Sequence, residues 1–129
     1  MMMTTLIICL FIAAILPYIA KIPVAIAMNK LGGYDNHHPR AQQAELTGFG
    51  ARAFAAHQNA FESLIIFAPA VLLAIATQNT GAFIEQLAIT HVVARVLYHI
   101  AYLINIGVIR SLIWAVGIIS AFAIIYLCI

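Results

Sequence analysis

Charge is scarce in this 129-residue chain: six Lys and Arg and four Asp and Glu make up 8% of it, against 65% hydrophobic residues. A water-soluble domain needs a charged exterior, and so few ionic side chains cannot cover one. Lipid must therefore be the solvent for most of the surface. The net charge of +2 is too small, and the basic residues too scattered, for the electrostatic footprint of nucleic-acid binding, so no nucleic-acid partner is expected. Cysteine is scarce as well. Cys9 and Cys128 lie in the first and last apolar segments without CxxC spacing, which suggests neither a disulfide framework nor a zinc site. No basic n-region precedes the first apolar stretch, which also outruns the usual secretory h-region, so a retained span is expected rather than a cleaved signal.

What the chain does have is four segments long enough to cross about 30 Å of hydrocarbon at about 1.5 Å per residue. They cover 3–28, 51–77, 82–104 and 109–129 and predict an all-α integral-membrane four-helix bundle, a single domain over 1–129. Tight turns at 78–81 and 105–108 make the last three spans antiparallel neighbours, and only 29–50 is a sizeable loop. That loop holds Lys30 and Arg40, Arg52 stands at its exit, and Arg110 follows the last turn, whereas the 78–81 turn and both ends carry no Lys or Arg. The positive-inside rule puts the loop in the cytoplasm and both termini outside. Pro17 and Pro23 invite kinks in the first span. Lys21 lies between them, placed either to snorkel to the headgroups or to contact a ligand.

Charged groups inside a span cost roughly 2.5–3.5 kcal/mol each, so their retention asks for a use. On the second span Arg52, Asn59, Glu62 and Ser63 share roughly a 100° sector, and on the third His91, Arg95, Tyr98, His99 and Tyr102 form another. Counted from the cytoplasmic ends, Glu62 lies roughly 16 Å deep and Arg95 roughly 15 Å, which allows them to pair. The expectation is a polar cleft open to the cytoplasm, floored by that pair and reached by Arg110 and Ser111 from the last turn. Glu62 and Arg95 alone could equally be a lock between two helices. The whole face, however, offers more donors than one carboxylate can use.

The histidines lack ligand spacing, so no metal is expected: His37 and His38 are adjacent in the loop, His57 points away from Asn59, and His91 and His99 sit about two turns apart. Asp35 and Glu45 are read as solvated, Glu85 as facing headgroups, and Trp114 as an interfacial anchor.

The run Ala56-His57-Gln58-Asn59-Ala60-Phe61-Glu62, preceded by Arg52, resembles the signature of the membrane-associated eicosanoid and glutathione metabolism family, MAPEG. Arg95, Tyr98 and Tyr102, followed by Arg110 and Ser111, resemble its second signature, and Lys21 is similar to a lysine of that family. The Tyr34-Asp35-Asn36 and Pro39-Arg40 stretch resembles the loop of its short bacterial members. The resemblance covers essentially the whole chain. It implies a homotrimer of four-helix protomers in the bacterial cytoplasmic (inner) membrane, with glutathione as co-substrate bound between neighbouring subunits. Arg52, Asn59, Glu62, Arg95, Tyr98 and Tyr102 would hold the tripeptide, and Arg110 with Ser111 would flank its sulfur. The chain departs from prostaglandin-synthesising relatives at Gln58, an arginine there, and has Ala60 for a common aspartate, which points away from eicosanoid synthesis.

The resemblance thus implies a membrane glutathione transferase or glutathione-dependent peroxidase acting on small lipophilic substrates that arrive from membrane lipid. The alternative it leaves open is a non-catalytic lipid-binding or partner-presenting protein of the same family. A small transporter using Glu62 and Arg95 as a relay ranks last, because the chain lacks broken-helix repeats.

Overall fold

Five helices account for the fold of the described residues: α1 (Met2–Asn29), α2 (Pro39–Ala44), α3 (Gly48–Ala76), α4 (Ala82–Leu103) and α5 (Gly107–Tyr126). The computed structural model describes residues 2–129, and no strand occurs among them. Helices satisfy every backbone group internally, which a chain with this composition needs in lipid. α1 runs through Pro17 and Pro23 without interruption.

α1 packs along α3, and α4 along α5; α3 bridges the two pairs by touching both α5 and α4. The reversals after α3 and α4 share one device. Gln78 and Asn105 adopt left-handed φ values of 57° and 63°. The next residues then close the helix ends, Asn79 N–H donating to the Ala74 carbonyl and Ile106 N–H to that of Ala101, each at 2.9 Å. At the far end Asn79 Nδ2 also donates to the Leu127 carbonyl, tying the α3–α4 turn to the end of α5.

The bundle is layered along its length. One apolar cluster joins Leu6, Cys9 and Ala13 of α1 to Phe67, Ala70, Val71 and Ala74 of α3, with Ile84 and Ala88 of α4 and Ala121 and Ile124 of α5. A second gathers Val24, Met28 and Ala53 at the opposite end. The interior is rich in alanine, the small residue that lets helices approach closely when lipid removes the hydrophobic drive. Large apolar side chains instead face outward, with Phe11, Tyr18 and Ile65 each about two-thirds exposed. Close approach is sharpest at Gly50, where an added Cβ would lie 3.0 Å from both Ala27 Cβ and Leu46 Cδ2.

Between the two clusters lies a polar stratum. His91, 1% exposed, is its centre. Its Nδ1–H donates to the Gly117 carbonyl at 2.7 Å, which leaves Nε2 to accept from Ser63 Oγ at 3.3 Å. The ring stacks on Phe67 at 4.0 Å. One side chain thus joins α3, α4 and α5 with every polar atom partnered.

Of the helices, α1, α3 and α5 are long and apolar enough to cross a membrane. The sequence led us to expect four such spans. α4 differs because Glu85, His91, Arg95 and His99 fall on it, and the last three of these are buried within the bundle. The long loop also contains more structure than expected. Pro39 opens α2, where its missing N–H costs nothing. Gln42, buried beneath the loop, accepts from Asp35 N–H at 2.9 Å and donates to the Gly33 carbonyl at 2.8 Å.

Candidate functional site

Asn59, Glu62 and Ser63 recur at three- and four-residue spacing and so share one face of α3. That face meets Arg95 of α4 and Trp114 and Ile118 of α5 around a cavity of about 110 Å³. A second cavity, about 210 Å³, lies alongside, lined by Tyr98 and Tyr102 of α4 and Arg110, Ser111 and Trp114 of α5. Trp114 borders both.

Stacked cations and rings connect the two. The Arg95 guanidinium lies 4.3 Å from the Tyr98 ring centre. Tyr98 meets Tyr102 edge to face at 5.6 Å. Arg110 then lies 4.3 Å from the Tyr102 ring. The negative ring faces hold both guanidinium groups in place while leaving their N–H donors unspent. Ser111 Oγ donates to the Gly107 carbonyl at 3.2 Å, and its side chain is exposed.

Unspent donors are the main feature of the smaller cavity. Arg95 is 4% exposed, yet its Nε and Nη2 have no hydrogen-bond partner, and neither has the buried Oδ1 of Asn59. Each such group costs about 1–3 kcal/mol when buried unsatisfied. These donors and this acceptor belong to residues that line one space.

The pair expected between Glu62 and Arg95 is not formed: they share the cavity, but no ion pair joins them among the described residues. The guanidinium turns to Tyr98 instead, and the Glu62 side chain is left exposed. Arg52 lines neither cavity. Seven residues before Asn59, it lies about 10 Å away along the helix, where its guanidinium sits 5.9 Å from the Phe49 ring and Nε has no partner. Asn59, Glu62 and Arg95 are therefore brought together, as are Tyr98, Tyr102, Arg110 and Ser111. His57, set apart from this face on the sequence, donates from Nδ1 to the Pro17 carbonyl of α1 at 2.7 Å.

Two lining residues escaped sequence reasoning. Trp114 was read as an interfacial anchor and Ile118 was passed over, yet Arg110, Trp114 and Ile118 follow one another at four-residue spacing. That i, i+4, i+8 stripe on α5 was the signal that could have found them.

Compared with known proteins, the chain matches the family model described as MAPEG family over residues 5–129. No curated protein and no solved structure matches it.

Proposed function

Because the chain belongs to the MAPEG family, we propose that this integral membrane protein binds glutathione and acts as a glutathione transferase or glutathione-dependent peroxidase on lipophilic electrophiles. The family includes enzymes of both kinds. The observation that carries the reading is the set of unpartnered atoms, Arg95 Nε and Nη2 and Asn59 Oδ1, around one cavity. A guest with carboxylates, an ammonium and peptide groups complements that set. Arg95 donates charge-assisted bonds to a carboxylate, Asn59 reads an amide, and Glu62 accepts from the ammonium. Tyr98 and Tyr102 line the second cavity, and Arg52 supplies positive potential nearer the loop end of α3.

Arg110 and Ser111 take the sulfur end. A free thiol titrates near 8.5, and lowering it by about two units asks for about 3 kcal/mol, within reach of one arginine in a low dielectric. The fixed guanidinium stabilises the thiolate, and a lipophilic electrophile reaches it laterally from the bilayer.

The same residues support a trimeric assembly. The exposed Glu62 side chain, roughly 16 Å into the spanning region, would face hydrocarbon in a lone protomer, at a cost of a few kcal/mol. A neighbouring protomer covers it in a homotrimer, where the site lies between subunits. α4, 22 residues long, spans about 33 Å, and its polar side lies inward, so it serves as the fourth span. The 29–50 loop lies in the cytoplasm and both termini lie outside the bacterial inner membrane.

The test is glutathione binding to the detergent-solubilised protein, by calorimetry or thermal shift, beside the Asn59→Ala variant. Binding that weakens about tenfold in the variant is expected; equal binding would remove the cavity from consideration.

A further inference from the structure

α3 has a second functional side. At 100° per residue His57 and Phe61 lie about 160° from Asn59, and there they border a different cavity, of about 600 Å³, between α1, α3 and the loop that carries α2. Lys21 and Arg40 contribute two cations to it, and Tyr18, Tyr34 and Phe61 give it an aromatic flank.

Among the described residues no carboxylate lines this space. Among the described residues the Lys21 ammonium reaches only the Met28 sulfur at 3.8 Å and the Tyr34 ring at 5.9 Å. The nearest acid in sequence, Asp35, spends its Oδ1 on the N–H groups of His37 and His38, both at 3.0 Å. The loop is also held firmly in place. Gln42 ties Asp35 and Gly33 together, which fixes Tyr34 on one side of the recess and Arg40, at the start of α2, on the other. His57 is fixed too, bonded to the Pro17 carbonyl and set edge-on to Phe61 at 5.3 Å.

Depth completes the picture. Lys21 and His57 each lie about 12–14 Å from the loop end of their helices, so they stand at matching heights across the recess. From there the surface becomes apolar: Tyr18 packs edge-on to Phe61 at 5.6 Å, and Ile65, one turn further along α3, is 68% exposed.

We propose that this recess binds the anionic head group, a phosphate or a carboxylate, of a membrane amphiphile whose hydrocarbon chain lies along Tyr18, Phe61 and Ile65. Lys21 and Arg40 neutralise the head group, and the aromatic flank takes the first part of the chain. The inference stands on residues that the glutathione reading does not use.

The experiment measures lipid retention by native mass spectrometry. The full-length protein is purified from vesicles of phosphatidylcholine mixed equally with phosphatidylglycerol, and in a second arm with oleate. The wild type is expected to retain the anionic amphiphile over phosphatidylcholine. Arg40→Gln and Lys21→Gln should each reduce that preference about fivefold, and Lys21→Arg should keep it. Inorganic phosphate, the free-anion arm, should not displace the bound lipid. The proposal is overturned by a wild type without preference, by displacement with inorganic phosphate alone, or by an Arg40→Gln variant that keeps the full preference. Arg40 is exposed on the loop, so this last variant folds whatever becomes of Lys21→Gln.

Discussion

The Arg110 guanidinium lies over the Tyr102 ring, 4.3 Å from its centre, although the two residues belong to different helices. The ring fixes the cation that the proposed chemistry needs.

Tyr102→Phe should therefore keep most of the thiolate absorbance that glutathione shows when bound, since the ring face remains. Tyr102→Leu should lower it, with a fall of about fivefold in kcat/KM, the scale of one cation–π contact. Equal losses in both variants would mean that the hydroxyl matters rather than the ring.

Arg95→Met is expected to separate binding from stability. It removes a buried guanidinium with two unpartnered nitrogens, so the unliganded protein should melt at the wild-type temperature or above it. Glutathione affinity should drop at least tenfold, the scale of one charge-assisted bond. A variant that melts much earlier would make Arg95 a structural residue.

His91→Ala should do the opposite. It deletes two hydrogen bonds and a stacked ring, at a cost of about 3 kcal/mol by thermal denaturation in detergent. Gly117→Ala, by contrast, should be tolerated, because the added Cβ would find Ala94 Cβ at an ordinary 3.6 Å.

Gln78→Gly should stabilise the protein by about 1 kcal/mol, since Gln78 holds a φ of 57° that glycine adopts without the penalty of a Cβ. A lower melting temperature would show that the Gln78 side chain does more than close a helix.

Much of this was legible before any coordinates. The spacing of Asn59, Glu62 and Ser63, and of Arg95, Tyr98 and Tyr102, fixes which way each side chain leaves its helix, because helical periodicity is rigid. The paired signatures also carried the family. Spacing says nothing of rotamers, however, so equal depth made Glu62 the natural partner of Arg95, whereas the guanidinium turned to Tyr98. Trp114 was hidden for another reason: near a membrane boundary an indole already has an explanation, and only the contact between α4 and α5 shows its second role. α2 escaped because six residues carry too little periodicity, and its order rests on Gln42 reaching back across nine positions to Gly33.

Trp114 stands as a party wall between the two cavities. A change of its rotamer reshapes both chambers together, so selection acting on either compartment is felt at once in its neighbour.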